Sequence, residues 1–124
     1  MKGFIIEFGT GIDLHGADPT KAAKRAIDDA IHRSCLCGLP DYAQRRDLGD
    51  VVITVQIACP HPASVDQAAI REHFPFGTIE VSCEEGGLLA QGTYDEALGR
   101  RTEILVAVVS LTVYVGGASP AAQP

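Results

Sequence analysis

An aspartate and a histidine stand close together in a glycine-rich stretch near the N-terminus. Residues 9–16 read Gly-Thr-Gly-Ile-Asp-Leu-His-Gly, which places Asp13 and His15 two positions apart. In an extended segment, side chains two positions apart point to the same side. A carboxylate and an imidazole on one side can bind a divalent metal or act as an oriented acid–base pair. The alternative is that His15 is hydrogen-bonded to a neighbour and only maintains the loop conformation.

The glycines around this pair indicate close approach by a ligand. We therefore predict a small-molecule site in which Asp13 and His15 are catalytic. Glu7 is assigned to the same site because it lies on the strand that leads into the loop, and the glycines predicted to bind the ligand are Gly9, Gly11 and Gly16. A dinucleotide-binding fingerprint is disfavoured because its third glycine would fall at Leu14, and the sequence has no Walker loop.

One carboxylate and one imidazole are fewer than the three protein ligands typical of a catalytic zinc ion. We therefore predict no resident metal and no cofactor, and at most a weakly bound, exchangeable divalent ion. The N-terminal residues lack the pattern of a secretory signal, so the cysteines are predicted to be thiols. A zinc site is the minor alternative, because His32 and His61 lie near cysteines in the sequence. The four cysteines are Cys35, Cys37, Cys59 and Cys83.

The overall charge excludes two classes of partner. Ten Lys and Arg against sixteen Asp and Glu give a formal net charge of −6. Without a basic stripe, neither nucleic acid nor an anionic membrane is an expected partner. The longest apolar segment, residues 104–115, is too short to span a bilayer. We expect a cytoplasmic protein.

Hydrophobic patterning predicts seven elements in the order β-α-β-α-β-(β)-β. Asp18 is a suitable N-cap for the first helix, with Pro19 at the first helical position. A capping box at Ser64 and Gln67 predicts the start of the second helix. The predicted strands cover residues 3–8, 51–59, 77–83, 88–91 and 102–115, and the helices end near residues 32 and 73. These elements predict an α+β two-layer sandwich with two helices on one face of a mixed sheet of four or five strands.

The same patterning predicts one α+β domain over residues 1–115 and a disordered tail over residues 116–124. Both faces of the last strand are apolar, yet the helices cover only one face of the sheet. Self-association would cover the other face, so we predict a homo-oligomer.

The segment that begins at residue 7, Glu-Phe-Gly-Thr-Gly-Ile-Asp-Leu-His-Gly, resembles the signature of a broadly distributed family of conserved hypothetical proteins. The family pattern Gly-x-Gly-x-Asp-x-His-Gly is matched by Gly9, Gly11, Asp13, His15 and Gly16. The resemblance covers nearly the whole chain and implies family membership. It implies no activity.

The glycine-rich stretch also resembles the start of the methylerythritol cyclodiphosphate synthases, which are trimers of small α+β subunits. This resemblance implies that Asp13 and His15 are metal ligands of a cyclase or lyase, and it makes a trimer the preferred oligomer. That family takes a further histidine from the following helix, where this chain has Ala23 and Lys24.

A third resemblance is to ring-opening amidohydrolases of the cyanuric acid hydrolase and barbiturase type. Their Ser-Gly-Gly element is similar to the segment that holds Ser82, Gly86 and Gly87, which implies a catalytic Ser82 and two ligand-binding glycines. The catalytic lysine of that family has no match, and Thr10 stands nearest to its position. The leading hypothesis is therefore a small-molecule-binding oligomer that hydrolyses cyclic amides. A metal-dependent cyclase or lyase and a non-catalytic metabolite-binding or scaffold oligomer are the alternatives.

Overall fold

The computed structural model describes residues 2–34 and 51–115. Five strands and two α-helices lie in these ranges. They are β1 (Lys2–Asp13), α1 (Pro19–Ser34), β2 (Val52–Cys59), α2 (Gln67–Glu72), β3 (Thr78–Glu85), β4 (Leu88–Asp95) and β5 (Arg100–Val115), with a 3₁₀ turn at Pro62–Ser64.

The five strands form one mixed sheet with the long strand β5 at its centre. β1 pairs antiparallel with one side of β5. On the other side, β2 pairs with residues 108–114 of β5 and β4 pairs with residues 100–106, both antiparallel. β3 runs parallel to β2 at the far edge. The predicted α+β two-layer sandwich with a mixed sheet is confirmed.

Helix α1 packs on the sheet through a stripe of small residues, and the glycines of β1 make this packing close. A Cβ atom on Gly9 would overlap the carbonyl oxygen of Ala26, and one on Gly11 would overlap that of Ala22. β1 therefore continues through the stretch that the sequence predicts to be a loop, and it ends at Asp13. Gly9 and Gly11 are needed because they lack side chains and so leave room for the helix backbone. Neither has a positive φ; in this region positive φ values occur at Gly16 and Ala17.

The hydrophobic core lies between the sheet and the two helices. The alanine stripe of α1, Ile70 of α2 and the inward-facing residues of β2 and β5 are all buried. The buried residues of β5 alternate along the strand, at positions 105, 107, 109, 111 and 113. This alternation assigns every second residue of β5 to the opposite face of the sheet.

The helix starts depend on aspartate caps. The Asp18 carboxylate accepts hydrogen bonds from the backbone N–H groups of Thr20 and Lys21, at 3.0 and 3.3 Å, as the sequence predicts. For α2 the cap is Asp66, which accepts from the backbone nitrogen of Ala69 at 3.1 Å. The capping box predicted at residue 64 is wrong, because residues 62–64 form the 3₁₀ turn before the helix.

Two predictions fall on residues outside the described ranges. These are the disordered tail at residues 116–124 and the thiols of Cys35 and Cys37. Within the described ranges, no helix has both the length and the apolar character needed to cross a membrane.

Candidate functional site

Asp13 is the last residue of β1, and its side chain is only 2% exposed. Its Oδ2 atom accepts a hydrogen bond from the backbone nitrogen of Asp18 at 2.8 Å. Its Oδ1 atom lies 3.6 Å from the Arg25 guanidinium and 3.9 Å from the Lys21 ammonium, both on α1. The buried carboxylate thus connects the end of β1 to the first turns of α1.

His15 lies in the bend that follows β1, and it is exposed. It borders a cavity of about 230 Å³ at one end of the sheet. The opposite wall of the cavity comes from the turn between β4 and β5 and from the start of β5. The lining residues are His15, Gly16, Ala17, Asp95, Leu98, Arg100, Thr102 and Glu103.

Hydrogen bonds hold the β4–β5 turn in place. The Asp95 carboxylate accepts from the backbone N–H groups of Ala97 and Leu98, at 2.9 and 3.3 Å. The buried Thr102 hydroxyl donates to the carbonyl oxygen of Thr93 at 3.2 Å. These contacts fix the backbone from which Leu98, Arg100 and Glu103 project. The turn is therefore a preorganised wall of the cavity.

The cavity presents complementary chemical groups to a ligand. The Arg100 guanidinium is permanently charged and donates hydrogen bonds, and the His15 imidazole can donate or accept. The Glu103 carboxylate accepts hydrogen bonds, and the exposed Leu98 side chain gives an apolar surface. This arrangement can bind a small polar molecule and orient it.

The structure separates several of the predicted site residues from this cavity. Glu7 lies six residues before Asp13 on the same strand, a distance of about 20 Å at the strand rise per residue. Gly9 and Gly11 face α1. Of the ligand-binding residues predicted from the sequence, Gly16 is the one that borders the cavity.

The segment that holds Ser82, Gly86 and Gly87 also lies apart from the cavity beside His15. Ser82 is exposed on β3, in register with Gln56 of β2. Gly86 and Gly87 carry the chain across the end of β2, where a Cβ atom on Gly86 would lie 2.8 Å from the Cβ atom of Ala58. Among the described residues, the cavity lining does not include these three positions. A joint action of His15 and Ser82 stays a prediction.

Metal-binding groups are dispersed. In residues 2–34 and 51–115, no group of three or more His, Cys, Asp or Glu side chains could hold a metal ion. Cys59 and Cys83 are free thiols on neighbouring strands. Burial raises the pKa of Cys59 to about 11, with Cys83 and Glu85 adding to the effect. The thiol of Cys59 is therefore protonated at neutral pH and is a poor nucleophile.

Sequence reasoning missed the residues of the β4–β5 turn. Arg100 and Glu103 are more than eighty positions from His15 along the chain. They come near it because Asp13 pairs with Leu105 in the β1–β5 ladder. No local pattern marks this pairing, and only the register of the two strands could have indicated it.

The comparisons with known proteins agree with this fold. A family model for conserved hypothetical proteins, Lin0512_fam, matches residues 3–113. The chain belongs to this family. Lin0512_fam is also the membership that the N-terminal signature predicts, whereas the hydrolase and cyclase resemblances are not supported by the comparisons.

A solved structure is similar to this member of Lin0512_fam over almost its full length. It is the crystal structure of an FtsZ-like protein of unknown function from Nostoc punctiforme, with 37% sequence identity and a TM-score of 0.76. The match covers 90% of this chain and 93% of that chain. Among curated proteins, none is significantly similar to this chain.

Proposed function

We propose that this member of Lin0512_fam is a homo-oligomer that binds a small polar molecule in the cavity beside His15. The observation that supports the binding site is that His15, Arg100 and Glu103 all line one cavity of about 230 Å³. These side chains come from distant parts of the chain and are exposed. Exposed polar groups that converge on a concave site, held by a fixed turn, are typical of ligand binding.

The size and groups of the cavity indicate the class of ligand. Its volume is below the range of about 300–1,000 Å³ that is usual for drug-sized ligands, so a smaller metabolite fits it better. Arg100 and His15 suit an acidic group such as a carboxylate. Glu103 suits a hydrogen-bond donor on the same molecule. We therefore propose a metabolite that has both an acidic group and a hydrogen-bond donor.

Binding is preferred to hydrolysis for two reasons. The Asp13 carboxylate already engages the Asp18 amide and two basic side chains, so it is poorly placed to orient His15 as a base. Ser82 lies on β3, apart from the cavity lining. The hydrolase of cyclic amides and the metal-dependent cyclase or lyase stay predictions of the sequence.

Nuclear magnetic resonance can test the proposal directly. Small carboxylic acids, amino acids, and the cyclic amides cyanuric acid and barbiturate would be titrated into uniformly ¹⁵N-labelled protein. We expect at least one compound to move the amide signals of residues 15–17 and 95–103, while signals of α2 stay in place. Compounds that move no signal, or that move signals of β3 instead of these segments, would contradict the proposal.

A further inference from the structure

The face of the sheet that points away from the helices has an unusual composition. We call its uncharged part the outer face and define it by the even positions 6–12 of β1, 54–58 of β2 and 104–112 of β5, together with position 88 of β4. These positions lie opposite the buried ones because side chains alternate along strands. None of them is Asp, Glu, Lys or Arg, but Glu80 and Glu84 of β3 lie on the same side of the sheet and border the outer face at the β3 edge.

Large apolar side chains are exposed on this outer face. Ile6, Phe8, Ile12, Leu88 and Val108 have exposed fractions between 40% and 63%, with Phe8 the most exposed. Together they expose on the order of 500 Å² of apolar surface, at the upper end of patches on monomeric proteins. That area is more than half of the roughly 800 Å² that each partner buries in a standard interface.

The charge of the chain indicates what covers this face. Two copies with a formal net charge of −6 repel each other where their acidic surfaces meet. Repulsion is least where the contact is centred on the uncharged residues of β1 and β5, away from Glu80 and Glu84 of β3. The two glutamates at the β3 edge disfavour a nucleic acid, and the outer face itself carries no charged side chain for a partner recognised through charge. A second copy of the chain, with the same neutral surface, is self-complementary to it.

Residues 10–12 of β1, at the edge of the sheet, cannot pair with a further strand. The backbone nitrogen of Thr10 donates to the Asp29 carboxylate at 2.9 Å. The Arg25 guanidinium donates to the carbonyl oxygen of Ile12 at 2.6 Å. A strand added at this edge would need both backbone groups. Association through the outer face remains open, whereas strand addition at residues 10–12 is blocked.

We propose that the outer face packs against the outer face of a second copy around a two-fold axis. Phe8, Ile12 and Val108 would be buried in this contact, with the two sheets about 10 Å apart. The proposal rests on the homo-oligomer of the proposed function and names its interface. A two-fold contact between identical faces closes as a dimer, so this proposal predicts a dimer where the synthase resemblance implies a trimer.

Sedimentation velocity over a range of micromolar concentrations tests this interface. We expect the wild-type chain to be a dimer. Phe8→Glu buries an unpaired charge in the contact and should raise the dimer dissociation constant by about 100-fold. Phe8→Thr keeps a residue that suits a strand and should raise it by about 10-fold. Ala68→Glu is the matched control. It adds the same charge at an exposed position of α2, on the other side of the sheet, and should leave the dimer dissociation constant unchanged.

The outcomes separate this proposal from the one that it rests on. A wild-type chain that is monomeric throughout would overturn the homo-oligomer and the interface together. A wild-type oligomer that persists in both Phe8 variants would overturn the interface alone. An oligomer of three copies that dissociates in Phe8→Glu would overturn the two-fold arrangement. If circular dichroism shows that the Phe8→Glu variant is unfolded, the dimer dissociation constant of the Phe8→Thr variant is used to test the interface.

Discussion

The Oδ2 atom of Asp13 lies 2.8 Å from the backbone nitrogen of Asp18, so a side chain at the end of β1 binds the backbone at the start of α1. Arg25 and Lys21 lie within 4 Å of the other carboxylate oxygen. Asp13 is nevertheless almost fully buried. A buried carboxylate with such partners contributes to stability whatever ligand the neighbouring cavity binds.

Replacing Asp13 by alanine should therefore lower the free energy of unfolding by about 2–4 kcal/mol. The change removes the acceptor for a part-buried amide and leaves two cations without their partner. Urea unfolding measures the loss. Glu72→Ala removes an exposed carboxylate and is the control, with an expected change of less than about 0.5 kcal/mol. A loss for Asp13→Ala no larger than that of the control would refute the structural role.

The glycine-rich stretch shows where sequence reasoning failed and why. Glycine has a low strand propensity, so three glycines in eight residues predict a loop. The structure uses Gly9 and Gly11 as strand residues that admit a helix at close range. The signal was present in the sequence, because glycines two positions apart share one face and α1 has a stripe of alanines. Neither pattern identifies the contact without knowledge of which elements pack together.

Gly11→Ala tests this close packing. Its Cβ atom would overlap the backbone of α1 at Ala22, which cannot move like the end of a flexible side chain. We expect a loss of about 3 kcal/mol or more. Gly99→Ala provides a comparison, because its Cβ atom would meet open space and the cost comes from a φ of +67° alone, about 1 kcal/mol. Thermal melts of equal stability for the two variants would show that α1 does not depend on the glycine.

Asp29 should make stability depend on pH at acid values. The hydrogen bond from the Thr10 backbone lowers the pKa of Asp29 below its usual value of 3.8, and Arg33 adds to the effect. A pKa lowered by folding stabilises the folded state above the unfolded value, and this contribution is lost as the pH falls through the folded pKa. Asp29→Asn should therefore melt below wild type at pH 7. The two melting temperatures should converge as the pH falls below 3.8. A difference that stays constant with pH would exclude a role for the charge.

Metal content separates the binding hypothesis from the cyclase hypothesis. Asp13 and His15 supply two ligands at most, and the described residues hold no cluster of three. Protein purified without added metal should contain well under one equivalent of zinc by elemental analysis. Stoichiometric zinc that is lost in His15→Ala would instead favour the metal-dependent cyclase or lyase.

The candidate site could be predicted only in part. His15 is predicted as a site residue because it stands with Asp13 among three glycines in one connection. The structure shows it beside a cavity, and its role in binding stays a prediction. Arg100 and Glu103 could not be identified, because they look like ordinary charged residues at the start of a strand. Their proximity to His15 depends on the register of β1 against β5, which arises from packing over the whole sheet.

The central claim is that the cavity beside His15 binds a small polar molecule. The most direct test compares the stabilisation by ligand of two variants, one at His15 and one at a control histidine, His61. The measurement is the thermal shift of wild type, His15→Asn and His61→Asn with the same carboxylic acids, amino acids and cyclic amides. His61 is an exposed histidine with φ of +56°, a conformation that asparagine tolerates, and it does not border the cavity. Without ligand, His15→Asn should unfold within about 1 kcal/mol of wild type.

A compound at about 100 times its dissociation constant should stabilise wild type by about 2.7 kcal/mol, on the order of 10 °C. We predict that the His61→Asn variant keeps this shift and that the His15→Asn variant loses it. Equal shifts in both variants would contradict the claim that the cavity beside His15 is the binding site.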